Sequence, residues 1–372
     1  MRQRVEQLDG LRGIFSILVV AHHHNAFRES IFYNNFFVIN SSLFVDFFFV
    51  LSGFLIIYLL IIERYSTNKI NIKNFYIRRI LRIFPLYYFC LFFGFAIFPI
   101  AKQLLGQTPE ETAHLGRYLV FLGNFDTIAN GVVPDSSVLG ILWSIAIEEQ
   151  FYLTIPFILV LLPTRLYGWL FAAVIALSLI FRTAYIEDYF VIKFHTIAYV
   201  GNLAIGGLIA YYSATNERFL AFFSKLDRKF ILAGYAVLAM LFIFRNDIFV
   251  NDIPRVFEAV AFSVMFAFVI LEQNFSKGSF FKMRNNRVFS KLGTYTYGLY
   301  CLHLIAFLIV LQITGRMGLN KNIWEVVFLE TPLALIASIG IAYASYRFFE
   351  RPFMLLKNRF ASISARARGE TV

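Results

Sequence analysis

Charge is the first thing this sequence has little of. Its 34 Lys and Arg and 23 Asp and Glu residues make up 15% of 372 positions, where a soluble globular chain carries roughly 25%. An ordinary water-facing domain is thereby excluded. Cysteine is scarcer still: there are two, Cys90 and Cys301, each inside an apolar run, so a disulfide framework is excluded and packing is their expected role. The sequence also lacks CxxC and HExxH spacings, a phosphate-binding loop, a Gly-rich dinucleotide turn and a nucleophile elbow, so no metal site is expected. No internal repeat is visible. The first apolar stretch, residues 11–26, has no convincing small-residue cleavage site and is expected to remain as a membrane helix.

What the chain has in excess is apolar surface. Hydrophobic residues make up 59% and mean hydropathy is +0.67, and nearly uncharged runs recur from end to end. This is the pattern of an all-α, polytopic transmembrane bundle. Ten runs read as spans: 9–27, 36–62, 83–101, 139–162, 167–182, 197–213, 230–245, 256–271, 293–313 and 326–347. The remaining loops leave no room for a sizeable soluble domain. The net charge of +11 is spread over many short loops and not gathered into one basic domain, which argues against nucleic acid and for contact with membrane lipids. With ten spans both termini share a side. That side collects 25 of the 34 Lys and Arg and the other side 9, so both termini are expected in the cytoplasm. Segment 118–138, interrupted by Asp126, Asn130 and Pro134, is expected as a re-entrant or surface segment on the outer face.

Ionisable groups inside spans are costly and point to function by default. The first span reads LDGLRGIFSILVVAHHHNAF. Eleven residues separate Arg12 from His23, which places them about 20° apart on the helical wheel and about 16 Å apart along the axis. His22 and His24 lie about 80° and 120° to either side, so His23 alone aligns with Arg12. The competing reading is a trio of interfacial histidines at a helix end. After the second span, NFYIRRILRIFP gathers Arg78, Arg79 and Arg82 in a loop at the mouth of the third; Arg79 and Arg82 share a face and suit a phosphorylated ligand, unless they only anchor the chain to anionic lipid.

The fourth span, WSIAIEEQFYL, carries Glu148 and Glu149. At least one must face the bundle interior, either to orient a histidine base or to pair with an intramembrane Arg. Asp46 in VDFFFVLSGF poses the same choice, and Gly53 and Ser52 beside it permit close helix approach. In GTYTYGLYCLH, Tyr297, Tyr300 and His303 fall on one stripe. They can line a polar passage, but tyrosines at a helix start read first as an interfacial belt. Glu350 and Arg351 in FFERPF read as a structural clamp.

Taken in order, LDGLRGIFSILVVAHH, VDFFFVLSGF, FYIRRILRIFP, WSIAIEEQFYL, GTYTYGLYCLH and FFERPF resemble the acyltransferase-3 family of integral membrane O-acyltransferases, from residue 8 to residue 353. The resemblance implies a domain over residues 1–350, with a short basic cytoplasmic tail at 351–372 and none of the C-terminal esterase-like domain that some members carry. It implies transfer of an acyl group, acetyl in the first instance, from cytoplasmic acyl-CoA to a sugar hydroxyl of a cell-surface or lipid-linked glycan at the outer face. Localisation would be the cell membrane, the inner one in a Gram-negative bacterium. By motif position the essential histidine falls on His23, the first-helix arginine on Arg12 and the cytoplasmic pair on Arg79 and Arg82. The 16 Å between Arg12 and His23 is close to the reach of an extended phosphopantetheine arm. In that scheme Glu148 or Glu149 assists His23, and no metal is needed because the thioester is already activated. The rival is a transporter or flippase of an acylated or glycosylated lipid, using the intramembrane charges as a proton relay.

Overall fold

In hydrocarbon a chain must satisfy its own backbone polar groups, and a helix does so within one segment. The computed structural model describes residues 2–26 and 42–360, and the described residues are mostly helical, with no strand. The principal helices are α1 (Arg2–Ala26), α2 (Ser42–Thr67), α3 (Ile72–Phe92), α4 (Leu142–Leu161), α5 (Tyr167–Ala184), α6 (Thr196–Thr215), α7 (Arg228–Ile243), α8 (Asp252–Phe275), α9 (Thr296–Met317) and α10 (Thr331–Ser345). Each of the ten expected spans falls on one of them. Among the described residues eight helices are long and apolar enough to cross a membrane. The two that fall short are α1, diluted by its charged first turns and its histidines, and α7, with only 16 residues.

Boundaries differ from the hydropathy reading in one way that matters. The expected loop 63–82 is almost entirely helix: α2 runs to Thr67, and α3 begins at Ile72, where the Asn71 side chain accepts the Asn74 N–H at 3.0 Å. Asn68, with φ at +56°, makes the turn between them. Arg78, Arg79 and Arg82 therefore stand on the first turns of a helix, not in a loop. Hydropathy marks where apolar side chains stop, whereas arginine is a good helix former and continues the helix past that point. The stretch 36–41 of the second expected span lies outside the described residues.

Packing brings α2 against α6 at unusually short range. A Cβ on Gly53 would come within 2.0 Å of the Leu203 carbonyl oxygen, and one on Gly206 within 2.0 Å of the Val50 carbonyl oxygen. Glycine at both places lets the two backbones touch. Asp46, on the same face of α2, accepts from Asn202 Nδ2 at 2.8 Å, which settles its structural pairing across this contact. Helices α3, α8 and α9 complete the interior around Phe47, Tyr87, Phe266 and Phe307, all buried.

Segment 118–138 folds as short helices, Gly123–Asn130 and Ser137–Gly140, preceded by Leu115–Leu119. Its interrupting polar residues are what hold it. Asp126 accepts the His114 backbone N–H at 2.8 Å and Arg117 Nη1 at 2.9 Å, and Asn130 donates to the Thr112 carbonyl at 2.8 Å. At the other end of the chain, the helix of α10 continues through a π-helical turn at Tyr346–Glu350 into Arg351–Lys357, which packs on α3. Glu350 accepts from the Ser345 hydroxyl at 2.8 Å, whereas Arg351 is exposed. The clamp expected of that pair is made by Glu350 with Ser345 instead.

Candidate active site

Helices α1, α2, α3, α4 and α9, with Lys357 from the C-terminal segment, enclose a cavity of about 260 Å³. Its long walls come from α2 and carry Phe48, Leu55 and Leu59; Arg12, Arg79, Arg82 and Lys357 stand at one end and Val19, Ser144 and Tyr300 toward the other. Arg12 and Val19 are seven residues apart on α1, about 10 Å of helix.

The LDGLRG segment positions Arg12 by its glycines. A Cβ on Gly13 would lie 2.1 Å from the Phe289 carbonyl oxygen, and one on Gly293 would lie 2.0 Å from that of Asp9. Only glycine permits α1 to rest on helix Arg287–Thr294 in this way. Arg12 then donates to Asp9 at 2.8 Å. Above it, the Ser16 hydroxyl is bonded to the Arg12 carbonyl and lines the cavity.

Of the three neighbouring arginines on α3, the structure separates one from two. Arg78 donates to the Phe360 carbonyl at 2.9 Å and lies 3.5 Å from Glu63, so it ties down the C-terminal segment. Arg79 and Arg82 both line the cavity. The Arg79 guanidinium sits 5.7 Å from the centre of the Tyr152 ring and 5.9 Å from that of Phe75, a cation over two aromatic faces.

The glutamates also divide. Glu148 lines the cavity and accepts from the Tyr152 hydroxyl at 3.1 Å; that hydroxyl is also bonded to Ser52. Glu149 is not among the cavity residues, and among the described residues its Oε1 is buried without a hydrogen-bond partner. Adjacent residues on a helix point about 100° apart, so one helix cannot turn both carboxylates into one cavity.

His23 stands one turn beyond Val19. Its Nδ1 lies 3.0 Å from the Val19 carbonyl oxygen. A carbonyl only accepts, so Nδ1 carries the proton, and a neutral ring keeps its lone pair on Nε2. The tautomer is thus set by the helix backbone, while Glu148 is bonded to Tyr152. The side chains of His22 and His24 lie outside the described residues. Facing His23 is His303 of α9, fully buried, with ring centroids 4.9 Å apart. His303 Nδ1 is likewise held by backbone carbonyls, those of Leu299 at 3.0 Å and Tyr300 at 2.8 Å.

The interfacial-belt reading of the α9 tyrosines is overturned. Tyr297 lines the cavity and donates to the Ile83 carbonyl at 2.8 Å, and Tyr300 meets the Ser144 hydroxyl at 2.5 Å. Their stripe faces inward because α9 is surrounded by α1, α3 and α10. Lys357, Ser52 and Tyr152 were not singled out as site residues by the sequence. The first lies beyond the last apolar run and reads as tail, Ser52 reads as a small residue for close helix approach, and Tyr152 drew no reading of its own.

Comparison with known proteins follows from this geometry. Residues 5–347 match the family model described as Acyltransferase domain, that of the acyltransferase-3 family. The chain is 28% identical over 366 residues to the O-acetyltransferase OatA of Staphylococcus aureus, covering 93% of this chain and 56% of the relative. It is 27% identical over 388 residues to the peptidoglycan O-acetyltransferase OatA of Listeria monocytogenes, covering 96% and 57%. The chain spans just over half the length of these curated relatives. No solved structure matches it significantly.

Proposed function

The chain belongs to the acyltransferase-3 family, a family of multi-pass membrane proteins, and on that premise we propose that it is an acyl-CoA-dependent O-acetyltransferase. The acetyl group comes from acetyl-CoA on the cytoplasmic side of the cell membrane. It goes to a sugar hydroxyl of an envelope glycan on the outer side, with peptidoglycan the first acceptor to examine because a relative is named for it. The observation that carries this reading is one cavity with a cluster of cations at one end and a histidine pair beyond the other.

The donor suits the residues present. Guanidinium groups fork onto phosphate oxygens, so Arg79, Arg82 and Arg12 receive the phosphates of the nucleotide. The apolar wall at Phe48, Leu55 and Leu59 accompanies the thin pantetheine arm, and the thioester comes to rest toward His23. There the Nε2 lone pair removes the proton of the acceptor hydroxyl as its oxygen attacks the thioester carbonyl. The tetrahedral intermediate collapses, the carbon–sulfur bond breaks, and the imidazolium returns the proton to the departing thiolate. General-base assistance of this kind contributes roughly 10² to 10⁴ in rate. Glu148, bonded to Tyr152 below the reacting region, offsets the cation cluster and orients the tyrosine. The excess of basic side chains on one face of the membrane supports a cytoplasmic cation end, and the proposed reaction is then vectorial.

The test uses sealed, oriented vesicles carrying the full chain. Radiolabelled acetyl-CoA is added on the cytoplasmic side and the acceptor glycan on the other, and base-labile acetyl esters on the glycan are identified by mass spectrometry. Label on the acceptor, lost with His23→Ala, supports the reading. Movement of a glycolipid across the membrane without consumption of acetyl-CoA would instead establish a transporter.

A further inference from the structure

Several cations elsewhere in the molecule have partners of their own. Lys102 is paired with Asp135, Arg117 with Asp126, Arg245 with Glu258 and Arg78 with Glu63. Arg64 donates to the Leu159 carbonyl and to the Tyr167 hydroxyl. At the basic end of the cavity Arg12 has Asp9, but among the described residues Arg79, Arg82 and Lys357 make no hydrogen bond or ion pair. The Arg79 Nε is buried with no acceptor. Lys357 is 6% exposed, lines the cavity, and its electrostatic neighbours are Arg82, Arg79, Arg12 and Arg78. Glu148, the carboxylate on the same cavity wall, is bonded to Tyr152; a lysine buried among guanidinium groups carries its charge only at a cost, which a bound anion offsets.

We infer that Lys357 is a phosphate ligand of the donor site: with Arg79 and Arg82 it completes a three-cation seat for a multiply charged phosphate group, and the segment beyond the π-helical turn at Tyr346–Glu350 closes that site from below. The inference rests on the acetyl-CoA reading for the identity of the anion. Charge selects among phosphate sources. The single charge on the phosphate of a phosphatidylglycerol headgroup leaves most of the seat uncompensated, whereas a phosphomonoester alone carries about −1.5 to −2 and a diphosphate beside it adds more. The seat also explains why Arg78 is spent on the Phe360 carbonyl and on Glu63. Those contacts fasten the segment that delivers Lys357.

The experiment titrates the full chain in neutral detergent with CoA, with pantetheine, and with phosphatidylglycerol micelles, for the natural protein, Lys357→Gln and Lys357→Arg, and records the melting temperature of each without ligand. Lys357→Gln is expected to weaken CoA binding about tenfold or more, Lys357→Arg to recover most of it, and pantetheine, which has no phosphate, to bind all three alike. Without ligand, Lys357→Gln is expected to melt at the same temperature or higher, because an uncompensated charge has been removed from a repulsive cluster. CoA binding by Lys357→Gln equal to that of the natural protein overturns the inference and leaves the acetyl-CoA reading standing. A lowered melting temperature with unchanged CoA affinity overturns it as well, and makes Lys357 a packing residue. If the natural protein ignores CoA but binds phosphatidylglycerol through Lys357, the donor-site inference and the acetyl-CoA reading both fall, and the cations hold a lipid headgroup.

Discussion

The two polar ends of the molecule are built on opposite principles. In the segment between α3 and α4, Asp126 is 1% exposed and takes Arg117, the His114 ring and the His114 backbone N–H. Lys102 there holds both oxygens of Asp135 at 2.8 Å. Lys102, Arg117, Asp126 and Asp135 each have a complement in the chain, and the result is a stapled surface. At the cavity mouth Arg79, Arg82 and Lys357 have, among the described residues, no carboxylate bonded to them. Compensated charge fixes a loop; uncompensated buried charge reserves a place for something the chain itself does not supply.

That contrast can be broken in four ways, from the largest expected effect to the smallest. On the proposed reaction, His23→Ala lowers acetyl transfer by at least about 10²-fold and leaves CoA affinity as it was, while His22→Ala and His24→Ala keep substantial activity. Transfer assays beside CoA titrations read both quantities, and equal loss from all three substitutions would remove His23 as the base. At the paired end, Asp126→Ala is expected to cost about 2–3 kcal/mol in thermal or denaturant unfolding, since it strands a guanidinium and a backbone N–H. CoA affinity should not move; if it does, the two ends are not independent.

At the unpaired end the signs reverse. Arg79→Ala and Arg82→Ala are each expected to weaken CoA binding about tenfold with little loss of stability, and Lys at either place restores part of it, because an ammonium cannot fork onto two oxygens. Calorimetric titration with matched melting curves checks this, and unchanged affinity in the double variant would return the pair to membrane anchoring. The smallest effect is Asp135→Ala. Its pair with Lys102 is partly exposed, so a loss of about 1 kcal/mol or less is expected, seen as a small shift of the unfolding midpoint that high salt diminishes.

How much of this was readable in advance follows from what each signal measures. Hydropathy located every principal helix, because the cost of apolar surface in water is a property of composition over a window. It misplaced the start of α3 by eleven residues, because hydropathy reports the apolar slab and not the hydrogen-bonded helix that continues past it. The wheel relation of Arg12 to His23 was legible, since both lie on one helix whose geometry is fixed. The inward face of Tyr297 and Tyr300 was not, because a stripe of tyrosines looks the same whether a membrane interface or another helix covers it.

The amino-acid order by itself determined which segments become helices, which single helix faces carry charge, and the family to which the chain belongs. All three depend on local periodicity and on motifs within one segment. Which charges meet was decided only by the tertiary structure. Glu148 was separated from Glu149 by the rotation of α4 against α2. Arg78 was separated from its two neighbours by a carbonyl 282 positions away in the chain. Lys357 became part of the cavity because the helix of α10 continues through a π-helical turn to Lys357 and lays its last turns on α3. The physical reason is the same in each case: a charge takes its meaning from the groups within a few ångströms of it, and those groups come from helices that sequence distance does not rank.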